Sequence, residues 1–148
     1  MLSCSADWTV MVWNWKRDEG IAIQCDSNDL TDAVSDIQWS PYSSTVFASV
    51  ADDGRCEIWD LAVKNFEPII INRGTPGVKR TMVRFNKFFP VLVTGNVDGD
   101  VEVFRVQNME PRQMTTEEQK KNLEEVVYPA GKGRGGNEDA DEDEINAE

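Results

Sequence analysis

Short apolar and alternating stretches, each bounded by Asp, Gly, Asn or Pro, follow one another along the first 106 residues. Stretches of this kind, about five residues long, read as β-strands. The pattern predicts ten of them, at 1–4, 9–14, 21–25, 34–39, 46–50, 55–60, 67–71, 81–85, 91–94 and 101–106. Few helical patterns fall between them, which argues against a parallel sheet with crossover helices. Beyond residue 114 the pattern changes. Thr115 and Glu118 have capping-box spacing, and Leu123, Val126 and Val127 make one short apolar stripe. A helix is predicted over 115–127.

The strands recur with a fixed period. Segments 3–14, 49–60 and 94–105 align without gaps, with Asp7, Asp53 and Asp98 in register at offsets of 46 and 45. Ser3, Ser49 and Thr94 stand four residues before each Asp, and Trp13, Trp59 and Phe104 six residues after it. A second repeat matches 34–41 to 80–87, with Trp39 and Phe85 46 residues apart. Asp53-Gly54 and Asp98-Gly99 are hairpin signals, because Gly tolerates φ > 0 and Asp hydrogen-bonds nearby backbone. Four strands fit each period, and a period of about 45 residues is that of a propeller blade. The pattern opens on what would be a second strand and stops after a third, so it holds about two and a half blades. Closed propellers have about four to eight. The expectation is a C-terminal piece of a longer protein, in which Met1 is not the native start. Its two open faces would expose large apolar residues and make it aggregate if expressed alone.

These residues resemble the WD40 family. Trp59-Asp60 is the one literal Trp-Asp pair, and Trp13-Asn14 and Phe104-Arg105 are degenerate versions. The implied fold is all-β: a partial WD40 β-propeller with a short C-terminal helix and a disordered acidic tail. Domain boundaries follow at 1–106 for the blades, 107–128 for the extension with its helix, and 129–148 for a Gly-rich linker and tail. The resemblance implies that Asp7, Asp53 and Asp98 hold their turns. It also implies that Ser3 with Trp13, and Ser49 with Trp59, bond within a blade. Asp60, Thr94 and Phe104 fill the matching structural positions. The family's network also uses a His.

Charge and composition narrow the chemistry. The 148 residues carry 15 Lys+Arg against 27 Asp+Glu, a net charge of −12, and no His. Without imidazole there is no Ser-His or Cys-His nucleophile and no common His-containing zinc site. The missing His also leaves any WD40 network partial, so the blades should lean more on packing. Seven acidic residues and no basic ones lie in 137–148, so the first 136 residues carry 20 acidic and 15 basic. Such a run cannot bury enough surface to offset its ordering entropy, and it reads as a solvated tail. Direct binding of nucleic acid is disfavoured by the overall charge. Cys4, Cys25 and Cys56 are odd in number and far apart, which fits reduced thiols. No signal peptide or apolar run long enough to span a bilayer is visible. The pattern GxGxxG at 131–136 lacks the preceding strand and following helix of a dinucleotide site and reads as linker. Thr94, Asn96 and Asp98 have calcium-loop spacing, but Arg105 stands where that loop needs a Glu. The carboxylate pairs Asp52/Asp53 and Asp98/Asp100 lie on turns with nothing apolar to raise a pKa. No cofactor is implied.

A fold does not give a function, but one stretch is more specific. Ser3-Cys4-Ser5-Ala6-Asp7-Trp8-Thr9-Val10 puts Trp where most blades have Gly, and Trp39-Ser40-Pro41-Tyr42-Ser43-Ser44-Thr45-Val46-Phe47-Ala48 follows. Over residues 1–106 the chain resembles the propeller region of dynein intermediate chains, most of all the axonemal outer-arm type. The resemblance implies a non-catalytic subunit of the cytoplasm and cytoskeleton, in the axoneme of a cilium or flagellum. Its implied partners are the tail of a dynein heavy chain and a second intermediate chain within a microtubule-associated complex. Light chains would attach through an upstream region, and neither nucleic acid nor membrane is a partner. Alternatives are a cytoplasmic or inner-arm dynein intermediate chain, or an unrelated WD40 scaffold or adaptor. Candidate contact residues are the loop aromatics Tyr42, Phe88 and Phe89, and Leu123 and Val127 on the helix stripe. For Phe88 and Phe89 the competing reading is burial between blades; for the helix it is folding back on the propeller.

Overall fold

In a computed structural model, described for residues 1–14, 21–27, 29–64, 66–107 and 114–127, the strand pattern resolves into three antiparallel sheets. The Gly-rich linker and acidic tail predicted for 129–148 lie outside the described residues. The first sheet joins β1 (Leu2–Cys4), β2 (Thr9–Trp13) and β3 (Ile21–Asp26) in that order. The second joins β4 (Val34–Trp39), β5 (Val46–Ala51), β6 (Arg55–Asp60) and β7 (Ile70–Arg73). The third joins β8 (Arg80–Phe85), β9 (Val91–Asn96) and β10 (Val101–Arg105), with β10 at its edge. Helix α1 spans Thr116–Val127. Among the described residues this is a partial propeller of one four-stranded and two three-stranded sheets.

Two differences from the sequence reading have local causes. The strand expected at 67–71 forms instead at β7, three residues later at its start. Pro68 has no N–H for the ladder, so pairing begins only at Ile70 opposite Ile58 and runs on to Arg73 opposite Arg55. The repeat also carries a feature below the resolution of a pattern. Register shifts fall between Val34 and Asp36 and between Arg80 and Met82, 46 residues apart. Ser35 and Thr81 are thus equivalent bulge residues at the entry of equivalent strands. A bulge bends its strand and increases local twist, which suits sheets that splay around an axis.

Packing places the core in two seams on either side of the middle sheet. All six residues of β5 are buried. Phe47 and Ala51 face the first seam with Val10, Val12, Cys25 and Trp59. Val46, Ala48 and Val50 face the second with Ile58, Val83 and Leu92. This two-sided burial explains why β5 reads as an unbroken small-and-apolar run rather than an alternation. In the first seam Phe47 stacks on Trp59 at 5.5 Å and 8°, and Trp39 meets Phe47 edge-on at 5.5 Å and 77°. Such pairs add about 0.5–1.5 kcal/mol beyond their buried area. The far face of the third sheet is not covered by the described residues, and Val101 and Val103 stand exposed there.

Helix α1 starts as its capping box predicts. Glu118 N donates to Thr115 Oγ1 at 3.3 Å, and Thr115 N donates to Glu118 Oε2 at 2.9 Å. Those bonds hold the Glu118 carboxyl below its ordinary pKa.

The residue after each turn Asp has positive φ: Trp8 at 73°, Gly54 at 87° and Gly99 at 90°. A left-handed conformation costs an L-residue about 1–2 kcal/mol. A Cβ on Gly54 would lie 2.7 Å from the Val78 carbonyl oxygen, whereas one on Gly99 would meet nothing within 4 Å. Gly99→Ala should therefore cost about 1 kcal/mol, the conformational term alone, and Gly54→Ala at least about 2 kcal/mol with its added clash. Equal losses of denaturant midpoint in the full-length protein would contradict that steric argument. By the same reasoning Trp8→Gly should stabilise by about 1 kcal/mol. A lower midpoint would mean that the indole makes compensating contacts.

Candidate partner-binding face

Antiparallel strands send their connections to two opposite ends of the sheets. One end holds turns 5–8, 52–54 and 97–100 and the crossings from one sheet to the next. Main-chain bonds join these pieces: Val34 N to Ser5 O, Asp52 N to Ala33 O and Val97 N to Lys79 O. The other end holds loops 40–45 and 86–90 and the turn after Asp60.

At the turn end the predicted structural residues act locally. Asp7 Oδ1 accepts from Thr9 N at 3.2 Å and Thr9 Oγ1 at 2.8 Å, which lowers its pKa. Asp53 Oδ1 accepts from Arg55 N at 3.1 Å. The expectation that Asp98 holds the third turn is corrected. Asn96 Oδ1 does so, accepting from Asp98 N at 3.0 Å and Asp100 N at 2.9 Å. A side-chain amide two residues earlier satisfies the same backbone donors that the Asp of an Asx-turn would. Within the blades, Trp13 Nε1 donates to Ser3 Oγ at 2.7 Å and Trp59 Nε1 to Ser49 Oγ at 2.9 Å. Thr94 is buried, with its hydroxyl 3.5 Å from Glu102 Oε2, and Phe104 lies beneath a guanidinium rather than in a bond of its own.

Two buried arginines, passed over in the sequence, join the sheets to one another. Arg55 opens β6. Its Nη2 donates to Asp29 O at 2.6 Å, its Nη1 reaches Ser27 Oγ and Glu57 Oε1 at 3.4 Å each, and its Nε lies 2.6 Å from Asp53 Oδ2. Ser27 and Asp29 follow β3, so the guanidinium ties the exit of the first sheet to the second. Burial pushes the Glu57 carboxyl above its ordinary pKa, against the lowering effect of Ser27 and Arg55. Arg80 opens β8 and does the corresponding work one seam on. It donates to Asn72 O at 3.2 Å and Asn72 Oδ1 at 2.9 Å on β7, pairs with Glu102, and sits 5.5 Å above the Phe104 ring. One signal was legible: Arg55 and Glu57 are opposite charges two apart, hence on one strand face.

At the loop end the candidate contact residues separate. Tyr42 is not an exposed aromatic. Its ring is buried, burial raises its pKa, and its hydroxyl lies 2.7 Å from Asn86 O and 2.6 Å from Phe89 O. It is a tie between the second and third sheets. Phe88 and Phe89 are 72% and 66% exposed. Burial between blades does not occur for them, because their turn projects beyond the sheet ends. Leu123 and Val127 are turned inward as well. With Val126 they pack half-buried against the first seam, so the helix folds back on the propeller and the stripe is not presented to a partner.

Among the described residues nothing at either end resembles a catalytic constellation. Among the described residues there is no group of three or more His, Cys, Asp or Glu able to hold a metal. Burial raises the thiols of Cys25 and Cys56 to about 12, where they are inert. No helix among the described residues is long and apolar enough to cross a membrane. A groove of about 350 Å³ lies between β7 and the edge strand β10, lined by Cys56, Ile58, Ile70, Leu92, Phe104 and Val106.

The sheets, the intra-blade Trp–Ser bonds and the Asp turns define a WD-repeat propeller, and the WD domain, G-beta repeat model matches residues 24–60. Over most of its length the chain is homologous to dynein intermediate chains. It is 41% identical over 108 residues to the human dynein axonemal intermediate chain 4, covering 73% of this chain and 12% of the relative. It is 37% identical over 109 residues to the ciliary dynein intermediate chain 2 of Heliocidaris crassispina, covering 71% and 15%. It is 36% identical over 73 residues to the 78 kDa flagellar outer-arm intermediate chain of Chlamydomonas reinhardtii, covering 49% and 11%. The chain thus spans less than a sixth of the length of these relatives.

Arg55→Met should cost about 3–5 kcal/mol, because it strands the buried Glu57 without a cation. Glu57, already raised, would rise further. The loss should then be largest at neutral pH and shrink as the pH falls and the folded state takes up the proton. Arg55→Met with Glu57→Gln should recover most of it. Denaturant midpoints across that pH range test this, and a pH-independent loss would contradict it.

Proposed function

We propose that this chain is part of a non-catalytic intermediate-chain subunit of an axonemal outer-arm dynein. In this reading the propeller binds the tail of a heavy chain beside a second intermediate chain and supports motor assembly in a cilium or flagellum. Light chains attach elsewhere, through an upstream region. The observation that carries the proposal is the 41% identity over 108 residues to an axonemal intermediate chain, supported by 36% identity over 73 residues to a flagellar outer-arm one. The architecture supports it. Three sheets joined by buried arginines and a tyrosine tie offer rigid loop ends for protein contact, and a scaffold needs no catalytic group.

Purification of the tagged full-length protein from ciliated cells, followed by mass spectrometry, tests the proposal. Outer-arm heavy chains and a second intermediate chain should co-purify, and the tagged protein should lie along the axoneme. Recovery of cytoplasmic dynein chains alone would sink the axonemal assignment. Recovery of no dynein chain would sink the whole reading.

A further inference from the structure

We propose that the 86–90 hairpin tip, with Arg105 beside it, is a docking surface for an acidic, apolar protein segment. The inference rests on the reading of the chain as a scaffold subunit and specifies which face it uses. Phe88 and Phe89 are adjacent and both largely exposed, which leaves two large aromatic rings in water at one turn. Exposed apolar groups concentrated in one place mark interaction sites, and buried aromatic anchors dominate interface energies.

The tip is held rigid without any partner. Asn86 Oδ1 accepts from Phe88 N at 2.8 Å and Phe89 N at 3.0 Å. Asn86 N donates to Val91 O at 2.8 Å, and Val91 N to Phe89 O at 2.6 Å. The buried Tyr42 hydroxyl lies within bonding distance of two of its carbonyls, Asn86 O and Phe89 O. A loop fixed this way has little entropy left to lose on binding, so its exposed rings are pre-organised anchors. Nor are the rings needed for the fold, since the bonds that set the turn come from Asn86, Tyr42 and the main chain.

Charge selects the partner. Lys87 lies on the tip, and Arg105 pairs opposite Val91 while Val106 N donates to Pro90 O at 2.9 Å. Among the described residues neither cation has an ion-pair partner, whereas Lys64 on the same end is matched by Glu67. The opposite end of the sheets is acidic, with Asp7, Asp29, Asp32, Asp98 and Asp100. The end bearing the phenylalanines therefore attracts carboxylates flanking an apolar stripe and repels basic segments.

The test places photo-crosslinking p-benzoylphenylalanine at Phe88 in the full-length protein, within the complex purified from cells. The expected crosslink is to one segment of another protein that combines apolar residues with Asp or Glu. Phe88→Ser with Phe89→Ser should lower retention of that protein at least tenfold, and Lys87→Glu with Arg105→Glu severalfold, with the loss from the charge variant fading at high salt. Thermal melting should be unchanged by the Phe pair. Crosslinks to lipid, to RNA, or only to other parts of the same chain would overturn the proposal, as would unchanged retention in both double variants. The two readings fail separately. Heavy chains retained with no crosslink at Phe88 would refute this surface and leave the dynein assignment standing. A crosslink to an acidic apolar segment in a preparation without dynein chains would do the reverse.

Discussion

Burial of both faces of the second sheet is the constraint on which the rest depends. β5 exposes none of its six residues, so each face needs a neighbouring sheet over it. Among the described residues Phe47 and Trp59 on one face are covered by the first sheet with helix α1 added, and Val50 and Ile58 on the other by the third sheet. At about 25 cal/mol per Å² of apolar surface removed from water, those two seams are the main favourable term among the described residues. The outer sheets lack this symmetry. On β10 the side chains alternate between Phe104, packed into the second seam, and the exposed Val101 and Val103.

Polar groups set how the seams align. Hydrophobic burial is non-directional, and two sheets held by it alone could slide. Arg55 fixes the first seam through the backbone of Asp29 and the side chain of Ser27, and Arg80 fixes the second through Asn72. A guanidinium suits the task because its planar fork can bond in several directions at once and never gives up its proton. In a chain without His, two buried arginines with matched carboxylates supply directional bonds between blades. Such buried ion groups are weak evidence of stability and better evidence of a specified geometry.

The consequence for function is a division of labour between the two ends. The turn end is acidic and self-satisfied, its carboxylates largely occupied by their own backbone or by Lys79 and Arg73. Among the described residues the loop end carries the exposed aromatics and two cations without an ion-pair partner. The proposed scaffold role needs one stiff surface rather than a pocket with perturbed titratable groups. The stiffness here comes from Tyr42, whose hydroxyl reaches main-chain carbonyls 44 and 47 residues away.

The sequence by itself determined whatever repeats or acts locally. The strands, the period of about 45 residues, the Ser–Trp pairs and the Thr115–Glu118 cap each depend on residues within one hairpin or one helical turn. The homology of the blades was legible for the same reason. Only the tertiary structure decided which aromatic is buried and which is exposed. Tyr42 and Phe88 both stand in polar loops, and nothing within a few residues of either distinguishes them. It also decided that Leu123 and Val127 face inward, that Asn96 rather than Asp98 holds its turn, and that Arg55 and Arg80 are buried. An apolar stripe says that a helix has a face to cover, not what covers it. Burial and pairing are set by atoms brought together from distant parts of the chain, and a local pattern carries no record of those distances.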